Sequence, residues 1–502
     1  MMNETKKQKT LRILLLLLIF SLGIGIRLVD FDDPPLDFHP ARQLHSALIS
    51  RAVYLNHGGD LPGLDAEYEH EAIMRGVQEP WIEPPVLEYL TAALYQFAGD
   101  ADLRVPRACS IVFWLAGAVA LYLLCRRFFG MVGTLSGVAF FLFFPYGVFA
   151  SRSFQPDPLM IALILWALET LCRWEEKPTT GSALLAGVFA GAAIFVKQVS
   201  VFPLGLAMLF FVLSARGFRP AVRSVQVWLI AVLSLLPVLV YNVWGYFIQG
   251  FLVQQYQGRF YWREILSPAF YVRWLRKVEQ VFGLPLAIGG MLGTVGIHRQ
   301  KYRLLWAGYL AGYVGYGWAL PHHIGTHDYY HLILFPLLAV GLGGLVDFVM
   351  DRLGGLSAGK LFSRLAVFVL IAGLNGWWLL DSAMTLRRND YRAWPQLWQE
   401  LAAALDPYEG QINTIGVMDD YGSGMIYWGL RTPMIWESNV EQMEEQQAMT
   451  EIRQAMLNRE FLIVTDFESY YQQPRLQRWL LQYAQVYRQT AEYLVFDLRE
   501  VE

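Results

Sequence analysis

Apolar residues along the chain come in long blocks that short polar connections separate. The blocks contain about 17–20 mainly apolar residues, which is the length that an α-helix needs to cross a bilayer. We place them near residues 11–28, 106–124, 131–150, 157–172, 182–196, 199–215, 225–246, 281–297, 304–320, 331–350 and 363–380. The pattern predicts an α-helical polytopic membrane protein with about eleven transmembrane helices.

The first apolar block follows the basic stretch KKQKT, an order that is also typical of signal peptides. No small-x-small cleavage site follows the block, and many more apolar blocks come later in the chain. We therefore interpret it as a retained first transmembrane helix.

Basic residues in the short connections predict the orientation. With a cytoplasmic N-terminus every inner connection carries Arg or Lys, as the positive-inside rule requires. These residues are Arg126, Arg127, Arg173, Lys177, Arg216, Arg219, Arg223, Arg299, Lys301, Arg303, Arg352, Lys360 and Arg364. An odd number of crossings then places the C-terminus outside. We expect a multi-pass protein of the cell (inner) membrane with an extracytoplasmic C-terminal domain.

Two longer segments are predicted to lie outside the membrane. The first, residues 29–105, belongs to a transmembrane domain that we assign to residues 1–380. Pro40 and the pair Pro84–Pro85 are suited to the first turn of a helix, and apolar residues follow each at helical spacing. Such stripes are typical of amphipathic helices on the bilayer surface. The alternative is that they pack against the rest of the loop.

The second outer segment is the tail, residues 381–502, in which the composition becomes that of a soluble protein. The stretches WPQLWQELAAALDP and EEQQAMTEIRQAMLN have the pattern of helices. The stretches QINTIGVMDD, FLIVTDF and EYLVFDLRE have the pattern of strands. Helices that alternate with strands predict a small α/β domain.

Composition agrees with a membrane protein. The chain is 55% hydrophobic and 17% charged, whereas a soluble protein is about 45–50% apolar and about 25% charged. The formal charge of −3 gives no indication of a nucleic-acid partner. The three cysteines lie in or beside apolar blocks and form no disulfide framework or metal-binding spacing.

Most of the unusual polar residues fall on the predicted outer face. Ionisable groups at membrane depth are costly, so they tend to be paired or functional. The acidic stretch after the first helix contains Asp32, Asp33, Asp37 and His39, and the later connections contribute Arg104, Arg107, Arg152, Asp157, Lys197, His322, His323, His327, Asp328, Tyr330 and His331. The stretch THDYYHLILFP (326–336) is therefore predicted to form one wall of a polar site.

Several of these residues have a structural interpretation as well. Asp157 and Asp328 suit helix N-caps, and Tyr330, with the tyrosine before it, suits an interfacial aromatic belt. Arg104 and Arg107 suit snorkelling anchors. Lys197 is a cation between two apolar runs and requires an anionic partner. A divalent metal held by these His and Asp residues is a further alternative, although their spacing matches no strong motif.

The motifs resemble those of the GT-C superfamily of membrane glycosyltransferases. The resemblance is to the branch of protein O-mannosyltransferases and aminoarabinose transferases, glycosyltransferase family 39. It spans about residues 10–350. It rests on DFDDPPLDFHPARQ, EPPVLEYLTAALYQFAG, RVPRACSIVFWLAGAVALYLLCRRFFG, QPDPLMIALILWAL, FVKQVSVFPLGL and HDYYHLILFPLLAVGLGGLV.

The resemblance implies an inverting hexosyl- or pentosyltransferase with no required cofactor and no metal. It would move a sugar from a polyprenyl-phosphate-linked donor to a lipid, glycan or protein acceptor on the extracytoplasmic face. The implied catalytic residues are Asp37 and Asp157. The implied cations for the donor phosphate are Lys197, Arg104, Arg107 and Arg152, and the implied donor-binding and sugar-binding residues are His39, His327, Asp328, Tyr330 and His331.

One departure from the family pattern leaves the general base open among Asp32, Asp33 and Asp37. The family often has an Asp–Glu or similar acidic pair in this motif. We favour Asp37 because it precedes the helix that Pro40 begins.

Two other classes of protein have a similar composition. A lipid or glycan transporter, or a flippase, also has many helices and a few charges at membrane level, but transporters often contain internal repeats, and none is visible here. An assembly or sensor protein would act through its tail, which carries no strong catalytic motif. Apart from a sugar donor and an acceptor, the expected partners are membrane lipids.

Overall fold

The computed structural model describes residues 6–61, 66–81, 83–256, 261–353, 358–405 and 414–501. The helices are α1 (Lys6–Leu28), α2 (Pro40–Asn56), α3 (Ala66–Gln78), α4 (Val86–Ala98), α5 (Arg104–Phe128), α6 (Met131–Phe143), α7 (Pro145–Ala150), α8 (Asp157–Glu176), α9 (Thr180–Val196), α10 (Val201–Arg216), α11 (Phe218–Arg223), α12 (Val225–Val243), α13 (Phe251–Tyr256), α14 (Pro268–Phe282), α15 (Leu284–Val295), α16 (Gln300–Ala319), α17 (Pro321–Thr326), α18 (Phe335–Arg352), α19 (Ala358–Arg388), α20 (Trp394–Leu405), α21 (Ser423–Tyr427), α22 (Glu445–Met456), α23 (Phe467–Tyr471) and α24 (Pro474–Tyr483). The strands are β1 (Thr414–Val417), β2 (Met434–Ile435), β3 (Phe461–Val464), β4 (Gln485–Gln489) and β5 (Leu494–Asp497).

Each predicted apolar block coincides with a described helix, which confirms an α-helical membrane protein. By length and composition, six of the described helical segments are suited to cross a bilayer. The pair α14 and α15, bent by 90° at Gly283, adds a seventh when it is counted as one span. The number of about eleven crossings therefore stays a prediction.

The chain divides into two compact units. The membrane unit comprises Met1–Asp32, Pro80–Leu87 and Arg104–Asn389. The second unit comprises Asp33–Glu79, Glu88–Leu103 and Asp390–Glu502. Most of the outer loop thus belongs to the same unit as the tail, whereas the sequence analysis grouped that loop with the membrane region. The boundary that we placed near residue 380 stays a prediction.

Glycines let neighbouring helices of the membrane unit pack backbone against backbone. In α18, a Cβ atom on Gly341 would lie 1.6 Å from the carbonyl oxygen of Gly290 in α15. In α16, a Cβ atom on Gly312 would lie 2.2 Å from the carbonyl oxygen of Phe202 in α10. Apolar side chains gain little from leaving lipid, so close van der Waals contact at small residues is what holds membrane helices together.

The outer loop contains the two helices that its prolines predict. Helix α2 begins at Pro40, and α4 begins directly after Pro85. Most residues of α2 are buried, including the polar Gln43, Ser46 and Ser50, which favours the alternative of packing against the rest of the loop, and the bilayer-surface position stays a prediction. It packs against α3 and α21 inside the second unit, and the hydroxyl of Ser46 donates to Glu88 of α4 at 2.7 Å.

The tail folds as the predicted small α/β domain. Its sheet has the order β2-β1-β3-β5-β4, in which β1, β2 and β3 are parallel and β5 is antiparallel to both β3 and β4. Residues of β1, β3 and β5 alternate between a core with α22, α23 and α24 and a core with α20 and α21. Residues 411–413 of the predicted QINTIGVMDD strand lie outside the described residues.

Candidate active site

A buried ion pair joins two of the predicted site residues in the membrane unit. The ammonium group of Lys197 donates to both carboxylate oxygens of Asp157, at 2.7 and 2.8 Å. Both side chains are 1% exposed. Asp157 begins α8, and Lys197 lies where α9 ends before the short 3-10 turn Gln198–Ser200. The anionic partner that Lys197 requires is thus a carboxylate contributed by a different helix.

Two tyrosines from the THDYYHLILFP stretch pack against the ammonium group of this pair. The Lys197 nitrogen lies 5.2 Å from the ring centre of Tyr329 and 5.4 Å from that of Tyr330. Both distances are within the range of a cation–π interaction. The tyrosines lie in the 3-10 segment Asp328–Leu334, which precedes α18. Three separate parts of the chain therefore converge on one charge pair.

The other residues of this stretch occupy two environments. His327 is exposed, and its ring contacts those of Tyr329 and Tyr330 at 5.4 and 5.8 Å between ring centres. Asp328 is half-buried and interacts with the Tyr146 hydroxyl. Both therefore lie close to the tyrosines, and their roles at a donor sugar stay predictions.

His331 differs from His327 because it is fully buried in a hydrogen-bonded network. Its Nδ1 lies 2.7 Å from the Tyr313 hydroxyl, and its Nε2 lies 3.1 Å from the carbonyl oxygen of Ile324. The indole N–H of Trp274 donates to the same Tyr313 hydroxyl at 2.7 Å. Both ring nitrogens of His331 thus have protein partners. The contacts are those of a structural histidine, and the proposed sugar contact stays a prediction.

Two of the predicted phosphate-binding arginines contact backbone carbonyl groups in the structure. Arg152 donates to the carbonyl oxygens of Arg27 and Asp30, each at 2.9 Å. Arg107 donates to the carbonyl oxygen of Phe31 at 2.6 Å. Both are 1% exposed. These contacts fix the turn that follows α1 and leads into the acidic stretch, a function that the sequence analysis did not foresee.

Arg104 is the exposed member of the arginines that we predicted for the donor phosphate. It is the first residue of α5. The phosphate-binding role of all three arginines stays a prediction.

From Asp33 onward the acidic stretch lies in the second unit, together with residues of the tail, whereas Asp32 belongs to the membrane unit. Asp33 is 5% exposed and accepts the backbone N–H of Tyr391 at 2.8 Å. Asp37 is half-buried, and its negative charge contributes to raising the pKa of Tyr391, for which burial is the larger cause. Partial burial and then the negative charge of Asp419 raise the pKa of Asp420. His39 has a smaller, opposite effect.

Backbone strain marks the same region. His39, which precedes α2, has a φ of 50°, and the consecutive Asp420 and Tyr421 have φ values of 48° and 56°. Non-glycine residues rarely adopt this left-handed conformation, and such residues are found often at functional sites. No strong catalytic motif was recognised in the tail, and DDYGSGMIYWG (419–429) is most simply a turn before a helix. Asp420 and Tyr391 were therefore missed, and the paired acids before a Gly-rich turn were the available signal for Asp420.

The predicted residues thus form two groups, one in each unit. Asp157, Lys197, Tyr330, His327 and Asp328 belong to the membrane unit. Asp37 and His39 belong to the second unit. Among the residues that the structure describes, no three His, Cys, Asp or Glu side chains come together in an arrangement that could hold a metal ion.

Part of the chain is similar in sequence to a known protein family. Residues 82–244 match the sequence model of the family described as dolichyl-phosphate-mannose-protein mannosyltransferase. This range contains Asp157 and Lys197 together with Arg104, Arg107 and Arg152. No curated protein matches the chain by sequence similarity.

Solved structures of three membrane enzymes share the fold. ArnT from Cupriavidus metallidurans, bound to undecaprenyl phosphate, has a TM-score of 0.59 at 14% identity, over 96% of this chain and 98% of that one. Oligosaccharyltransferase AglB from Archaeoglobus fulgidus, in complex with an inhibitory peptide and a dolichol-phosphate, has 0.60 at 12% identity, over 96% and 73%. Arabinofuranosyltransferase AftD from Mycobacteria has 0.52 at 15% identity, over 96% and 40%. The chain therefore has the fold of these GT-C glycosyltransferases, and residues 82–244 carry the family match.

Proposed function

We propose that the chain transfers a sugar from a polyprenyl-phosphate-linked donor to an acceptor on the extracytoplasmic face of the membrane, with inversion at the anomeric carbon. The observation that carries the proposal is the buried Asp157–Lys197 pair, with its two tyrosines, in a chain of GT-C fold. Support for a lipid-phosphate donor comes from two relatives of the same fold, since ArnT was solved with undecaprenyl phosphate and AglB with a dolichol-phosphate.

The reaction is a single displacement. The acceptor hydroxyl oxygen attacks the anomeric carbon and forms the new C–O bond, while the bond from that carbon to the phosphate oxygen breaks. The lipid phosphate leaves with the electron pair, and the hydroxyl proton passes to a carboxylate. An ordinary Asp has a pKa of about 3.9, far below that of an alcohol, so the proton moves late, as the new bond forms.

Asp37 is the general base in this proposal. Of the three acids in the stretch, Asp33 is buried and already accepts the backbone N–H of Tyr391, which is a structural function. Asp32 is exposed on a turn. Asp37 is half-buried, and it lies two residues before the strained His39 and three before Pro40, the first residue of the buried helix α2.

Asp157 positions the acceptor or accepts its proton together with Asp37. The cations stabilise the departing phosphate. Negative charge develops on the phosphate as the bond breaks, so positive groups that are already in place lower the barrier. Lys197 carries its charge beside Asp157, and Arg104 supplies an exposed guanidinium group. Arg107 and Arg152 act at the phosphate in addition to holding the turn after α1, and His39, His327, Asp328, Tyr330 and His331 contact the donor.

The test is sugar transfer by purified protein in lipid nanodiscs, with a radiolabelled polyprenyl-phosphate sugar and a panel of lipid, glycan and peptide acceptors. We expect donor consumption by the unsubstituted chain. We expect Asp37→Asn to lose about 10²–10⁴-fold in rate, the usual contribution of general base catalysis. The control is Asp32→Asn, which removes a neighbouring exposed carboxylate and should keep near-normal activity.

Two outcomes would overturn the proposal. A fully active, stably folded Asp37→Asn protein would remove Asp37 as the base. Failure of the unsubstituted protein to consume any polyprenyl-phosphate sugar in the panel would reject the lipid-phosphate donor.

A further inference from the structure

A pocket lies at one edge of the tail's sheet, and none of its described lining residues has an assigned role in sugar transfer. Its volume is about 370 Å³, and Val417, Trp436, Asn439 and Asp466 are among its lining residues. A volume of this size is within the range of small-molecule sites in proteins. The lining residues follow the carboxyl ends of β1, β2 and β3, the three parallel strands.

The topology of the sheet explains why a pocket forms at this place. After β1 the chain continues into α21, which packs on one face of the sheet, and after the neighbouring β3 it continues into α23, which packs on the other face. Connections that leave neighbouring parallel strands in opposite directions open a crevice at the carboxyl ends of those strands. In open α/β sheets this switch point is where ligands bind.

The lining of the pocket is acidic and rich in amides. Glu437, Glu441 and Asp466 contribute carboxylates, and Asn439 and Gln472 are two of its four amide side chains. Among the described residues that line the pocket, none is Lys, Arg or His. The negative charge of Asp466 also contributes, after partial burial, to raising the pKa of the neighbouring Asp419.

The polar groups are held in place by the fold around them. The indole N–H of Trp436, which is 6% exposed, donates to the Gln473 side chain at 2.8 Å. Asp466 accepts the backbone N–H of Ser469 at 2.9 Å, and Glu441 accepts that of Arg475 at 2.6 Å. Asp466 keeps further capacity to accept hydrogen bonds, because its two oxygens offer about four lone-pair sites. The second oxygen of Glu441 lies 3.8 Å from the guanidinium group of Arg475, which is not among the described lining residues.

The charge and the hydrogen-bonding groups of the lining residues indicate which class of ligand the pocket binds. A phosphate or another anion would meet carboxylates without a lining cation, and juxtaposed like charges are costly. The hydroxyl groups of a sugar both donate and accept hydrogen bonds, which suits carboxylates that accept and amides that do both.

We propose that this pocket in the tail binds a neutral saccharide. The further statement that the saccharide is part of the acceptor rests on the proposed function. The binding itself does not, because it requires neither a lipid donor nor transfer.

The test is binding of the full chain to an array of neutral and anionic oligosaccharides. The protein is purified in a detergent without a sugar headgroup, because a maltoside would compete for the pocket. We expect binding to neutral oligosaccharides above binding to their sulfated or phosphorylated counterparts. We expect the double variant Asn439→Ala/Gln472→Ala, which replaces two exposed amides, to weaken it on the order of tenfold, the effect of losing one or two hydrogen bonds.

The matched control is Gln447→Ala, which replaces an exposed amide on α22 outside the pocket and should leave binding unchanged. Glu437→Lys, which introduces a cation, should move the preference toward anionic oligosaccharides. The proposal is overturned if the double variant binds neutral oligosaccharides as well as the unsubstituted chain does, or if the unsubstituted chain binds none. If the chain binds them but consumes no polyprenyl-phosphate sugar, the pocket proposal holds and the proposed function fails.

Discussion

At the scale of single residues, the most consequential feature of the membrane unit is a buried lysine, Lys197, whose charge is neutralised by the buried carboxylate of Asp157. Removing a charged group from water costs free energy, and only close contact between the two charges with good geometry offsets that cost. Lys197 and Asp157 meet this condition with two short hydrogen bonds. Each residue therefore depends on the other, although 40 positions separate them.

We predict that Lys197→Met destabilises the protein by about 3–5 kcal/mol, because it leaves the Asp157 carboxylate buried without its partner. The double variant Lys197→Met/Asp157→Leu removes both charges and should recover most of that loss. The measurement is the unfolding midpoint in detergent for the two single variants and the double variant. A double variant that is as unstable as the sum of the single variants would contradict this coupling.

The sequence indicated which residues carry charge but not which partners they have. Lys197 could be recognised because a lone cation between apolar runs requires an anion. Arg107 and Arg152 were assigned to a ligand phosphate, yet they contact the carbonyl groups of residues 27–31. Every residue carries a carbonyl group, so no pattern in the sequence marks one as the partner of an arginine more than 70 positions away.

At the scale of elements, the helices of the membrane unit are held by close approach more than by bulky side chains. α15 and α18 pack closely through a row of glycines that includes Gly290, Gly293 and Gly341. A methyl group on any of these would meet the backbone of the other helix, and a backbone cannot move aside as a side chain can. The close contact between α15 and α18 therefore depends on the absence of a side chain at these glycines.

We predict that Gly341→Ala costs about 1–3 kcal/mol, the usual effect of overpacking a well-packed contact. Gly376→Ala is the control, because a Cβ atom there meets nothing within 4 Å and alanine favours the helix. The measurement is thermal stability in detergent, followed by size-exclusion chromatography. Equal stability of the two variants would show that α15 and α18 can separate without cost.

Elements with a clear apolar pattern could be predicted from the sequence, including the short strands β3 and β5, and elements without one could not. The apolar blocks predicted the membrane helices because lipid and protein core both require apolar surface. β4 was missed because QVYRQ is a largely exposed edge strand without an apolar alternation. α2 was assigned to the bilayer surface because its apolar stripe could be recognised, whereas the burial of its polar face depends on α3 and α21, which the stripe does not encode.

At the scale of the whole molecule, apolar surface is left exposed where a soluble protein would bury it. The apolar window of α19 is only 11% buried, and that of α1 is 17% buried. Leu370 and Phe362 on α19 are 70% and 72% exposed. Lipid is the solvent that makes such a surface stable, and the backbone groups are satisfied within the helices themselves, as a bilayer requires.

We predict the orientation of the whole chain from the basic inner connections. A cysteine placed at Glu492 in the tail should react with a membrane-impermeant maleimide in intact cells. A cysteine placed at Lys177 should react only after the cells are made permeable. Both positions are exposed. Cys125 and Cys172 are buried, and the half-buried Cys109 is replaced by Ser in both variants. The opposite labelling pattern would invert the topology and reject an outer-face site.

The arginines that contact the turn after α1 also have a consequence for the order in which the protein is made. α1 leaves the ribosome first, but the residue that holds the carbonyl group of Asp30 is Arg152, 122 positions later. At about 5–20 residues per second, this interval is roughly 6–24 s of synthesis. The contact between Arg152 and the turn that leads to Asp37 can therefore form only after α5, α6 and α7 have been synthesised, so the turn lacks this support while the first helices are being made.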